Sequence, residues 1–253
     1  MKLLLFFLAA FYILFCLYLY IFQDKIIFRT DLAPKEIPLD KEIKVTFLDG
    51  LEVGRVEKNS HITIFYFGGN ANNALEFLHH FKHLPYNLIT FNYPGYGNSQ
   101  GKPSQKAIFL AAKKVYQHYK TSKNILIGRS LGTGVASYLS TQKDVIGIIL
   151  ITPFHSITHL AQLRYPWCPI HLFLRHPFPN YKYLSQASVP VYVILAQHDD
   201  TTPPVTFAKL KPYIKKLVKV VTIEGAQHGD ILQFEQTKKA IEEFVTELAR
   251  ESP

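Results

Sequence analysis

Three regimes of hydrophobic patterning follow one another along the chain. The first, LLLFFLAAFYILFCLYLYIF from Leu3 to Phe22, is twenty residues without a charge. A helix of that length, at a rise of about 1.5 Å per residue, crosses a hydrocarbon core of about 30 Å. The second regime begins after a connector containing Ala33-Pro34 and Ile37-Pro38. Strand-like runs (43–48, 62–67, 88–93, 124–127, 146–151, 191–195 and 218–223) alternate there with helix-like ones (73–83, 104–119, 131–141, 204–213 and 230–250). Most of the later strand-like runs are continuously apolar, as strands buried on both faces of a parallel sheet must be, and the intervals leave room for crossover helices. The third regime, from Thr152 to Pro190, interrupts this rhythm: Pro153, Pro166, Pro169, Pro177 and Pro179 break up aromatic and aliphatic residues. No regular strand is expected there, and its place beyond the end of a strand makes it a candidate cap over a ligand crevice.

This pattern predicts an α/β chain: residues 1–25 as one transmembrane anchor, and 26–253 as a single domain with a mostly parallel central sheet, helices on both faces and a short cap insertion at about 153–189. A cleaved signal peptide is disfavoured, because the apolar run is long and the stretch from Tyr18 to Gln23 offers no small-residue cleavage site. Tyr18 and Tyr20 suit a headgroup layer, with Asp24 and Lys25 marking the exit into water. Lys2 on one side competes with Lys25 and Arg29 on the other, so the side that carries the domain stays open.

The composition narrows the partners. The 253 residues carry a net charge of +9, but the basic residues are scattered and no nucleic-acid module can be read, so nucleic acid is not expected as a partner. The densest basic stretch, Lys209 to Lys219, reads as a solvated face or a surface resting on anionic lipid headgroups. Cys16 and Cys168 are the only cysteines, and with one in the apolar start no internal disulfide is expected. Neither has metal-type spacing, and the His79, His80, His83 group lacks a third ligand, so no metal or cofactor is expected.

The candidate chemistry begins in NILIGRSLGTGVASYL, where Ser130 stands between an apolar strand and a helix with Gly128 and Gly132 two residues to either side. That is the spacing of a nucleophile elbow, a strained strand-to-helix turn so tight that a side chain at either flanking position would clash. A serine nucleophile needs a general base and an orienting carboxylate, which in such an architecture follow in chain order. VVTIEGAQHGD ends its strand in His228, the candidate base, with Gly225 giving its loop freedom. VYVILAQHDDTTPP ends in Asp199 and Asp200; the spacing to Thr201-Thr202-Pro203-Pro204 points to Asp200, with Asp199 as the alternative. Oxyanion donors are expected from the backbone N–H groups of Leu131 and of Asn70 in HITIFYFGGNANN, with Gly69 as the alternative to Asn70. His155, Phe154, Tyr165, Trp167, Phe173 and Phe178 are candidates either to line an acyl pocket or to pack inside the cap.

Together FGGNAN (67–72), FNYPGYGNSQG (91–101), GRSLGTG (128–134), HDDTTP (198–203) and GAQHGD (225–230) resemble the α/β-hydrolase superfamily over about Ile43 to Arg250. Within it, the chain is similar to the branch of small serine hydrolases with an amino-terminal membrane anchor, some serine aminopeptidase-like and others acyl-protein thioesterase-like. Gly68 stands where anchored relatives often carry a histidine, which bears on how the oxyanion loop is supported and not on its backbone donors. The resemblance implies an α/β-hydrolase fold and ester, thioester or amide cleavage through an acyl-enzyme, with acylated or lipid-like small molecules or acyl-proteins as substrates. A catalytically silent anchored binding protein, or an acyltransferase using the same residues, are the alternative functions.

Overall fold

A computed structural model of the protein describes residues 1–251. The chain opens with helix α1 (Lys2–Ile27), long and apolar enough to cross a membrane by length and composition, buried at Leu19 and Gln23, partly buried at Ala10, Phe15, Cys16 and Ile27, and otherwise exposed. Eight strands follow: β1 (Lys44–Leu48), β2 (Leu51–Val56), β3 (Ile62–Phe67), β4 (Asn87–Phe91), β5 (Lys123–Arg129), β6 (Val145–Ile151), β7 (Val191–His198) and β8 (Leu217–Gln227). They form one sheet in the order β1-β2-β4-β3-β5-β6-β7-β8, in which β1, β2 and β4 pair antiparallel and all later neighbours pair parallel. The helices after α1 are α2 (Glu76–Phe81), α3 (Gln105–Tyr119), α4 (Leu131–Leu139), α5 (Ile157–Arg164), α6 (Asn180–Leu184), α7 (Pro204–Leu210) and α8 (Glu235–Glu251).

The continuously apolar strands supply two cores, one on each face of the sheet, because successive side chains point to opposite sides. Phe65, Leu126, Leu150 and Val193 pack with Ile108 and Val115 of α3 and Val135 of α4. Ile64, Ile125, Ile149 and Tyr192 pack on the other face with Phe77 and Leu78 of α2 and with Ile241, Phe244 and Val245 of α8.

Strand β2 is absent from the pattern-based expectation. Glu52, Gly54 and Arg55 dilute its apolar run, although Asp49-Gly50 before it is a strong hairpin signal. Both turn residues have positive φ, 49° and 79°, and Leu48 pairs with Leu51 across them. Helix α2 is shorter than expected because Asn73 turns its side chain onto the Leu75 N–H, and α7 gives way to a 3-10 turn (Lys211–Tyr213) where Pro212 cannot continue an α-helix.

Strand order sets the place of the site. From β3 the chain moves outward to β4, then crosses back over β3 to β5, so the loops leaving β3 and β5 diverge at their carboxyl ends. Ligand crevices of open α/β sheets form at such a switch point. Residues 152–190 contain no strand, only α5, α6 and a 3-10 turn (Ile170–Leu172), and Phe154, Ile157, Leu160 and Tyr165 from this segment border the crevice beside Ser130. The cap also packs on α1, where it brings the two cysteines, 152 residues apart in sequence, to an Sγ–Sγ distance of 3.3 Å.

Candidate active site

Strand β5 delivers Ser130 to the crevice and α4 starts at the next residue. Ser130 has φ 51° and ψ −118°, a conformation costing on the order of 1–3 kcal/mol that survives only when its surroundings over-determine it. They do so here. The Ser130 N–H donates to the Ile151 carbonyl (2.9 Å), and its carbonyl accepts from the Thr133 N–H (2.9 Å) and hydroxyl (2.7 Å). The flanking glycines are sterically required: a Cβ on Gly128 would lie 2.4 Å from the Gly132 carbonyl oxygen, and one on Gly132 only 2.0 Å from that of Phe67.

His228, directly after β8, places Nε2 2.8 Å from Ser130 Oγ. Its Nδ1 lies 3.0 and 2.9 Å from the two carboxylate oxygens of Asp199. Facing a carboxylate, Nδ1 carries the proton, which leaves the Nε2 lone pair to accept from the serine hydroxyl. The arrangement can raise the nucleophilicity of Ser130 and hold a proton for a leaving group.

The expectation that Asp200 orients the imidazole is corrected: Asp199 does. Asp199 is buried and also accepts from the N–H groups of Thr201 (3.0 Å) and Thr202 (2.6 Å) and from the Thr202 hydroxyl (2.8 Å). Burial pushes its carboxyl pKa up, but the bonds from His228 and Thr202 outweigh this and hold it below the ordinary carboxylate value. Asp200 is exposed at the cleft rim, where it accepts from the hydroxyl of its neighbour Thr201 (3.2 Å). The physical reason is a register shift between Ala196 and His198 against β8, which prevents the strand's alternation from being counted through to the two aspartates.

Asn70 and Leu131 both border the cleft beside Ser130, and Gly69 packs against the serine, 3.4 Å from its Cβ for an added methyl. The loop's support comes from side chains that motif reading did not single out. The Tyr93 hydroxyl donates to the Gly68 carbonyl (2.8 Å), while Asn70 Oδ1 accepts from the Tyr96 hydroxyl (2.7 Å) and from the Arg29 N–H (2.8 Å), just beyond α1. Ala71, with φ 66°, carries the turn.

Arg129 is the other residue that was missed. Buried beside Ser130, it donates from Nη2 to the carbonyls of His228 (3.0 Å) and Gly229 (2.8 Å) and from Nη1 to Asn72 Oδ1 (3.3 Å), tying the His228 loop to the turn at Ser130 and to the loop after β3. The signal was present in the sequence, since a lone charge ending a buried apolar strand requires partners. Gly225, expected in a loop, instead lies within β8 at φ 74°.

A cleft of about 630 Å³ runs from Ser130 between Ile26 and Ile27 of α1, Phe154, and Ile157 and Leu160 of α5. Of the cap aromatics, Phe154 and Tyr165 line this cleft, Phe178 packs in the core against Phe109, and His155 stacks on Tyr181 with centroids 4.4 Å apart. Phe173 meets Tyr20 of α1, and Trp167 meets Phe15.

No family model matches the chain. An uncharacterized protein of Mycobacterium tuberculosis is 25% identical over 233 residues, covering 86% of this chain and 83% of that protein. Alpha/beta hydrolase domain-containing protein 17C of Mus musculus is 24% identical over 204 residues, 76% of this chain and 62% of that protein. Among solved structures, an esterase of Pyrococcus furiosus shares the fold with a TM-score of 0.66 at 16% identity, covering 86% of this chain and 97% of its own. With its mostly parallel eight-stranded sheet the chain has the α/β-hydrolase fold, and it is similar in sequence to alpha/beta hydrolase domain-containing proteins.

Proposed function

We propose that the protein is a membrane-anchored serine hydrolase that cleaves an ester, thioester or amide through an acyl-enzyme. The observation that carries this reading is the unbroken hydrogen-bond chain from Ser130 through His228 to Asp199. Ser130 Oγ attacks the acyl carbonyl carbon as its proton passes to His228 Nε2, and the oxyanion so formed meets the backbone N–H groups of Leu131 and Asn70 at the start of α4 and the end of the β3 loop. His228 then protonates the leaving oxygen, sulfur or nitrogen, an acyl-enzyme remains on Ser130, and water activated by the same histidine releases the acid. Asp199 holds the Nδ1–H tautomer and stabilises the imidazolium that forms. The aliphatic wall of Ile27, Ile157 and Leu160 suits an acyl chain, and the apolar α1 suits an anchored branch of the superfamily.

The direct test is a fluorophosphonate probe, which phosphonylates an activated serine. Mass spectrometry of the digested protein is expected to find the adduct on Ser130, with none on the Ser130→Ala variant. A folded wild-type chain that takes no label would overturn the reading in favour of a silent binding protein.

Arg129 offers a second test, because it touches no reacting atom. Arg129→Met frees the His228 loop, and small misplacements of a catalytic group cost on the order of a hundredfold. Steady-state kinetics on a short-chain nitrophenyl ester should show kcat falling by roughly ten- to a hundredfold, with KM little changed. An unaltered kcat would show that the loop holds its place without the clamp.

A further inference from the structure

Helix α1 is not a free tether. The cap segment YPWCPIHLFL, Tyr165 to Leu174, contains no Asp, Glu, Lys or Arg and is bracketed by Arg164 and Arg175. It lies lengthwise on α1. At its base the Arg175 N–H donates to Gln23 Oε1 (2.7 Å), Gln23 Nε2 donates to the Phe173 carbonyl (3.2 Å), and Arg175 Nη2 meets Asp24 at 2.9 Å. Farther along, Leu19 is buried with Cys168 and Ile170, the Phe15 ring sits 4.8 Å from that of Trp167, and the Tyr12 hydroxyl donates to the Trp167 carbonyl at 3.0 Å.

Between Asp24 and Tyr12 the helix rises about 18 Å. Counted from Phe22, where the uncharged run ends, the contact at Phe15 lies about 10 Å inside that run and the one at Tyr12 about 15 Å inside. A helix seated in hydrocarbon up to Phe22 must therefore take the loop in with it. The loop's outer side is suited to that: Trp167 is 53% and Leu172 74% exposed, continuous with the bare apolar face of α1. Arg175 stands at the base of the loop beside Asp24, at the water-facing end of the helix, while Tyr165 at its other end packs on Phe15 with ring centroids 5.9 Å apart.

We propose that the loop Tyr165–Leu174 enters one lipid leaflet alongside α1, setting the mouth of the Ser130 cleft at headgroup depth so that a membrane-resident acyl chain enters it directly from the lipid. The cleft walls agree with this placement, since Ile26 and Ile27 end α1, Leu163 and Arg164 end α5, Tyr165 begins the loop, and all five line the cleft. The inference rests on the reading of α1 as a membrane anchor and adds to it a depth for the cap and a route for the substrate.

Trp167 is the only tryptophan in the chain, so its fluorescence reports the loop alone. The full chain would be reconstituted into phosphatidylcholine–phosphatidylglycerol vesicles with lipids brominated midway along their acyl chains, and flotation of the vesicles scored in parallel. The expected result is co-flotation, a blue-shifted Trp167 emission mostly lost to brominated lipid, and little loss to aqueous iodide. Co-flotation with quenching by iodide and not by bromine overturns the loop's insertion and leaves the anchor standing; failure to float overturns both. The route is tested by Leu172→Glu, which should lower turnover of a vesicle-borne long-chain ester relative to a water-soluble short-chain ester by about tenfold. An unchanged ratio overturns entry from the lipid.

Discussion

Asp199→Asn is expected to lower kcat/KM by about 10⁴-fold, while Asp200→Asn stays near wild type. The amide is nearly the size of the carboxylate, but it can neither hold the Nδ1–H tautomer of His228 as a charge does nor stabilise the imidazolium formed when Ser130 attacks. Its effect should therefore appear in the chemical step and leave the fold in place. Asp200, whose carboxylate faces water and its neighbour Thr201, has no such task. Both variants would be assayed on a short-chain nitrophenyl ester beside wild type, with circular dichroism to verify folding. A large loss in Asp200→Asn with near-normal Asp199→Asn would sink the assignment. The same carboxylate sets a sign for stability. Because its folded pKa is lowered, its contribution is fully present above the ordinary aspartate value of about 3.9 and is lost as pH falls through the lower folded value. Asp199→Asn should lack that acid-side loss in urea unfolding followed across this range.

Gly132→Ala is expected to destabilise the fold by about 3 kcal/mol or more and to abolish activity with it. Its added methyl would meet the Phe67 carbonyl oxygen at 2.0 Å and the Gly68 carbonyl oxygen at 2.7 Å, both backbone atoms that no side-chain rotation can move aside. Relief requires α4 to lift from β3, which separates the two backbone segments assigned to the oxyanion. Gly229→Ala is the matched control: it lies one residue beyond His228, yet a Cβ there meets nothing within 4 Å. Its stability should be unchanged or slightly raised, because alanine restricts the unfolded chain more than glycine does. Denaturant unfolding of the pair separates a steric requirement from a general intolerance of the site to change, and equal midpoints for the two variants would contradict the close packing of the elbow.

The sequence alone carried the alternation of apolar strands and helices, the anchor-like run before it, and the positions of Ser130 and His228. Each is a local property. Burial on both faces of a parallel sheet writes itself as a continuous apolar run, and the tightness of the elbow writes itself as a Gly-x-Ser-x-Gly spacing, although the contact that Gly132 must spare is with the distant Phe67. Strand β2 was less legible, because a hairpin strand of mixed polarity resembles a loop until its partner is known.

Tertiary structure alone decided the rest, since each remaining question turned on atoms far apart in the chain. Whether Asp199 or Asp200 reaches His228 depends on a register irregularity between β7 and β8, and two adjacent carboxylates in one loop look alike until that register is set. Arg129 gained its role only when β5 brought it under the His228 loop, 99 residues later. The amino-terminal helix, which by composition reads as a transmembrane anchor, shares one face with residues 165–174 and its last turn with the cleft, because apolar surface there had α1 as its available partner. Patterning determined what each segment must bury; only the folded chain determined against what.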